Sequence, residues 1–103
     1  MFWREVCDVG DILQGQMKPV EIEGQQVTIC AVDGQYFAFH TLCSHEQVSL
    51  ADGYLEGCEV ECPLHGARFD IRTGECLSPP ATDDIATFKT RVENGKLYIE
   101  IIN

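Results

Sequence analysis

Two short segments gather the side chains able to do chemistry: Cys43-Ser44-His45 and Cys62-Pro63-Leu64-His65. Each couples a soft thiolate donor with an imidazole two or three residues on, so one tight loop can present both. Sixteen residues separate His45 from Cys62. That is enough for a strand, a turn and a return strand, and an antiparallel hairpin brings its two ends together. Two cysteines and two histidines arranged in this way could hold a tetrahedral metal or a two-iron cluster. Common zinc modules group Cys with Cys and His with His, whereas here each segment mixes the two and ends in His. Thiol catalysis is a weaker reading, since no third orienting group or substrate pocket can be argued in so short a chain.

The elements that must position these segments read as β. Val27 to Val32 is an apolar, β-branched run and Tyr36 to His40 an aromatic one; Asp33-Gly34 between them favours a tight hairpin. Ile85 to Val92 alternates, with Ala86, Phe88, Thr90 and Val92 expected on one face. After the Asn94-Gly95 turn, Leu97, Ile99 and Ile101 alternate again. Shorter strands are expected at Tyr54-Leu55 and Glu59-Val60, joined through Glu56-Gly57, and from Arg68 to Ile71 before Thr73-Gly74. Glu46 to Ala51 has room for a single helical turn, and no longer helical stripe is present. Breakers recur at Gly24, Gly34, Gly53, Gly57, Gly74, Pro79-Pro80 and Gly95, the rhythm of a small antiparallel sandwich or barrel. One domain, 1–103, is expected.

The remaining cysteines and the third histidine have bland readings. His40 ends a strand outside both segments and reads as structural. Cys30 sits in an apolar run, as a small buried hydrophobe. Cys58 falls at a turn and reads as an exposed thiol; Cys7 and Cys76 share no ligand spacing with the others.

With 103 residues the chain is one small domain. It buries only roughly two-thirds of its surface and gains from a staple. Apolar residues at 45% and charged residues at 23% argue against disorder. The net charge of −10 argues against nucleic acid or an anionic membrane as partner. No Lys or Arg occurs from Pro19 to Ala67, where Glu21, Glu23, Asp33, Glu46, Asp52, Glu56, Glu59 and Glu61 all fall. A solvated surface and a docking face for basic partners are equally open readings of that stretch. The N-terminus, Met1-Phe2-Trp3-Arg4-Glu5, carries no signal-like apolar run, and no stretch nears the ~18 apolar residues that span a bilayer. A cytoplasmic location is expected. Six cysteines are fewer than a disulfide scaffold of this size carries, which favours metal or redox chemistry.

The sequence resembles the Rieske ferredoxin family. The resemblance is carried by Cys43-x-His45 and Cys62-Pro63-Leu64-His65-Gly66, and extends over Asp52-Gly53-Tyr54-Leu55, Arg68-Phe69-Asp70, Thr73-Gly74 and the Pro79-Pro80 loop. Among its members it is most similar to the small ferredoxins of bacterial aromatic ring-hydroxylating dioxygenase systems. The resemblance implies an all-β, antiparallel fold with a basal β-sandwich and a cluster-binding subdomain at approximately 41–81 built on two loops. It also implies a [2Fe-2S] cluster, with Cys43 and Cys62 on one iron and His45 and His65 on the other. Thiolates keep their iron ferric and neutral imidazole suits Fe(II), so the added electron belongs on the histidine side, near the surface. The implied role is that of a monomeric one-electron carrier without catalysis of its own. Its partners would be an NAD(P)H-dependent, flavin-containing ferredoxin reductase and a terminal oxygenase. Glu46 and Leu64, inside the loops, become candidate docking residues, and the Pro79-Pro80 loop a cover for the cluster. Two alternatives remain open at this level: the small Rieske-like subunit of an assimilatory nitrite reductase, and a zinc-stabilised interaction domain. High-potential members place a disulfide between the loops and Ser and Tyr hydroxyls beside the cluster. The matching positions here are Val48 and Leu64, and Ala67 and Phe69, which implies a potential near the low end of the class, on the order of −150 mV.

Overall fold

The computed structural model describes residues 2–44, 48–64, 66–79 and 83–101. Three antiparallel sheets account for most of them. The first orders β1 (Phe2–Asp8), β11 (Lys96–Ile101) and β10 (Thr90–Glu93), with β11 in the centre. The second runs β2 (Met17–Ile22), β3 (Gln25–Val32), β4 (Gln35–His40) and β9 (Thr87–Phe88). The third is the meander β5 (Tyr54–Glu56), β6 (Glu59–Glu61), β7 (Arg68–Asp70) and β8 (Cys76–Ser78). The fold class expected from sequence is what the chain adopts.

The β3–β4 hairpin is the wall common to two cores. Because side chains alternate across a strand, Val27, Ile29 and Ala31 of β3 face one way, with Ala38 of β4. They pack on Ile12 and on Leu97, Ile99 and Ile101 of β11. Cys30 and Phe39 face the other way and join Cys43, Leu50, Val60, Cys62, Ala67, Phe69, Ile71 and Ile85. A strand buried on both faces reads as a continuous apolar run, as 27–32 does. Its one polar member, Thr28, is fully buried; its hydroxyl lies 2.8 Å from that of Thr41, so neither is left unpaired.

The turns follow their residues. Asp33-Gly34 and Asn94-Gly95 have positive φ at both positions, 52° and 78° and 52° and 75°, as tight two-residue hairpins require. Glu23-Gly24 makes a third such turn, at 51° and 78°. It joins β3 to β2, an edge strand in which Pro19 is tolerated for want of a neighbour on one side.

Three expectations need correction. Residues 85–92 do not form one strand: β9 pairs with β4 and β10 with β11, so the chain changes sheets at Lys89. Val92 is therefore exposed at 48% instead of sharing a buried face with Phe88. The β5–β6 turn is centred on Gly57 and Cys58, and Cys58 is half-buried against the second core. The helical turn is a 3-10 turn at Leu50–Asp52, capped by the Ser49 hydroxyl accepting from the Ala51 N–H; Glu46 and Gln47 lie outside the described residues.

Candidate metal centre

The second core ends at the two cysteine segments. Cys43 follows β4 and Cys62 follows β6, and both thiols are buried, at 5% and 2% exposure. The two loops close in the same way. The Cys43 N–H donates to the Val48 carbonyl at 3.0 Å, and the Cys62 N–H to the Ala67 carbonyl at 2.8 Å. Outside the first loop, Leu42 bridges Ser49 and the Leu50 N–H donates to the Thr41 carbonyl at 2.7 Å. Outside the second, Glu61 pairs with Arg68 in the β6–β7 ladder. Within it, Gly66 turns at φ 77° and donates its N–H to the Cys62 carbonyl at 3.2 Å.

Close backbone approach fixes the surroundings. A Cβ on Gly53 would lie 2.0 Å from the Glu61 carbonyl oxygen and 3.1 Å from Pro63 Cδ, so only glycine lets the chain pass the neck of the second loop. Gly74, at φ 84°, faces the Ile85 carbonyl oxygen equally closely, and the Ile85 N–H donates to its carbonyl at 2.9 Å. The chain returning from the Pro79 region is thus anchored. It reaches the first loop, where the Ser44 hydroxyl donates to the Asp83 carbonyl.

Of the four expected ligands, Cys43 and Cys62 lie in one buried cluster, while His45 and His65 lie outside the described residues, as do Glu46 and Pro80. No disulfide engages any of the six cysteines. Val48 is half-buried and Leu64 is 51% exposed. The donor chemistry fits an iron–sulfur group: two thiols, soft donors, emerge from matching loops in an apolar wall that includes Ala67 and Phe69. His40 Nδ1 accepts the Leu42 N–H at 3.3 Å. Cys30 is fully buried, and that burial, with Cys58 nearby, pushes its thiol up to about 12.

The acidic stretch is less uniform than its composition implies. The Arg68 guanidinium meets Glu61 at 2.9 Å, Glu59 at 3.2 Å and Glu56 at 3.6 Å. Sequence reading missed this cluster. Its signal was present in the meander: three acids at strand positions, followed by the first base after a long base-free run.

Comparison with known proteins shows the family. The Rieske [2Fe-2S] domain matches residues 2–89. The ferredoxin component of the naphthalene 1,2-dioxygenase system of Pseudomonas putida is 40% identical over 99 residues, covering 96% of this chain and 95% of that one. Among solved structures, a Sphingomonas yanoikuyae B1 ferredoxin superposes with a TM-score of 0.92 at 32% identity, covering 98% and 100% of the two chains. A chain from the complex of reduced oxygenase and oxidised ferredoxin of carbazole 1,9a-dioxygenase does so with 0.89 at 33% identity, covering 94% and 91%. Matched along nearly its whole length, and with two buried cysteines in equivalent loops, the chain belongs to the Rieske [2Fe-2S] domain family, and its cofactor is a [2Fe-2S] cluster, not zinc.

Proposed function

We propose that this chain carries single electrons from an NAD(P)H-dependent flavin reductase to a ring-hydroxylating terminal oxygenase. The observation that carries this reading is the match along nearly the whole chain to the naphthalene dioxygenase ferredoxin, together with the paired burial of Cys43 and Cys62. Cys43 and Cys62 hold one iron and His45 and His65 the other, which is the family's ligand pattern placed on Cys43-x-His45 and Cys62-x-x-His65. When bound, the cluster supplies a one-electron redox couple.

The chain's own residues supply the setting. The two loop closures hold the thiols against the second core and away from water. Leu64, half-exposed beside His65 in sequence, offers an apolar contact for a docking partner. Ala67 and Phe69 are buried and their side chains have no hydrogen to donate. Added negative charge is therefore stabilised less than in a donor-rich site. A midpoint near the low end of the class, on the order of −150 mV, follows, which suits a carrier downstream of a nicotinamide-driven reductase. The working unit is the monomer, one domain over 1–103 with the cluster subdomain at about 41–81. Its place is the cytoplasm, in keeping with a cysteine content below that of a disulfide scaffold. No helix among the described residues is long and apolar enough to cross a membrane.

Stopped-flow mixing tests the assignment. The reduced protein should be reoxidised by a purified ring-hydroxylating oxygenase and rereduced by NADH with a flavin reductase, in single-electron steps. A protein that takes electrons from the reductase but passes none to any oxygenase of this class would contradict it.

A further inference from the structure

Residues 56–68 place one cation among three carboxylates at the neck of the second cysteine loop. Glu61 immediately precedes Cys62, and Arg68 immediately follows Ala67, whose carbonyl accepts the Cys62 N–H. Glu61 and Arg68 are cross-strand partners, so their ion pair spans the two chains that enter and leave the loop. The second carboxylate oxygen of Glu61 lies over Gly66, within the loop, 3.9 Å from where a Cβ would sit. The Arg68 backbone N–H donates to Ser78 Oγ at 3.1 Å, tying the same residue to β8. Glu56 and Glu59 are also directly opposite each other across β5 and β6. Like charges in that position repel, and Arg68 is the base that faces both.

We propose that Arg68 is a positioning residue of the metal centre, clamping the neck of loop 62–67 and offsetting the charge of Glu56, Glu59 and Glu61 beside it. An isolated exposed ion pair contributes little, but one guanidinium over three acids acts as a network, and its planar fork reaches two carboxylates where an ammonium serves as a point charge. Without Arg68 the three carboxylates lose the cation that they share among the described residues. The field then disfavours the added electron, and the loop loses its cross-strand clamp. The inference rests on the Rieske reading of the centre.

The test uses the cluster-loaded protein, with the midpoint potential and the rate of iron loss to a chelator as readouts. At low salt, Arg68→Gln should lower the midpoint and release iron roughly threefold faster, and both changes should shrink as salt screens the carboxylates. Arg68→Lys should restore the potential but only part of the iron retention. Arg72→Gln, which breaks an ion pair with Asp70 outside the neck, should leave the midpoint near that of the parent. Glu59→Gln, which removes an acid and threatens no fold, should raise the midpoint at low salt; it carries the test if Arg68→Gln fails to fold. An unchanged midpoint in Glu59→Gln, or equal effects from Arg68→Gln and Arg72→Gln, would overturn the proposal. A parent protein lacking iron and acid-labile sulfide would instead overturn the Rieske reading.

Discussion

Loops 43–48 and 62–67 each start from a buried cysteine whose N–H reaches a carbonyl five residues ahead, yet they are braced by different means. The second loop is the connection inside a meander: β6 and β7 pair on either side of it, Arg68 crosses its neck, and Gly53 lets a neighbouring segment press against Glu61. Its supports come from nearby in the sequence. The first loop lies beyond the end of β4, closed by one isolated bridge between Leu42 and Ser49. Its side-chain brace, Ser44 to Asp83, spans 39 residues. Identical donor chemistry is thus held by a local frame on one side and a long-range one on the other. The first loop therefore depends on how residues 74–85 fold, whereas the second is largely self-sufficient.

Substituting the donors themselves should have the largest effect. Cys43→Ser or Cys62→Ser should abolish the normal cluster, read as loss of iron and sulfide from the purified protein, and should weaken a core this small because metal binding adds directly to folding. Next come the two glycines, which separate the frames. Gly74→Ala forces a Cβ into the Ile85 carbonyl at a left-handed φ and should cost about 2–3 kcal/mol. It should loosen the first loop in particular. Gly53→Ala meets the Glu61 carbonyl at an ordinary φ and should cost on the order of 2 kcal/mol, focused on the second loop. Urea denaturation gives the totals, and amide exchange at Cys43 and Cys62 reports which loop opened. Equal exchange at both cysteines in both variants would erase the distinction.

Ser44→Ala is a milder probe of the same asymmetry. It removes the hydroxyl that reaches Asp83, should cost about 1 kcal/mol, and should hasten exchange at Cys43 while leaving Cys62 unchanged. The smallest effect at neutral pH belongs to the shared wall behind both loops. Burial holds the Cys30 thiol up to about 12, so the folded state keeps it protonated while the unfolded chain ionises at its ordinary value. The stabilisation is complete below that ordinary value and is lost as pH climbs from about 9 toward 12. By pH 10 the loss should be on the order of 1 kcal/mol. Urea midpoints for the parent and Cys30→Ala, compared from pH 7 to 10.5, should show an excess decline in the parent only.

Much of this was legible in the sequence where local chemistry decides. Asp33-Gly34 and Asn94-Gly95 declared their hairpins, Leu97, Ile99 and Ile101 declared a buried face, and the cysteines of the Cys-x-His and Cys-x-x-His segments declared the buried pair Cys43 and Cys62. What escaped was decided by neighbours distant in the chain. β1 and β2 are edge strands, where Arg4, Glu5, Lys18 and Pro19 blur the alternation that a central strand keeps. The run 85–92 alternates evenly, and only its two partners, β4 and β11, reveal that it serves two sheets. The acids at 56, 59 and 61 read equally as a solvated face or a docking face because their counter-charge follows the loop that they flank.

Iron and acid-labile sulfide, counted per chain in the parent and in single Ala variants of His40, His45 and His65, test the central assignment most directly. Two irons and two sulfides are expected in the parent and in His40→Ala, with the normal cluster lost from His45→Ala and His65→Ala. Loss from His40→Ala, with full retention in His45→Ala or His65→Ala, would contradict the assigned ligands.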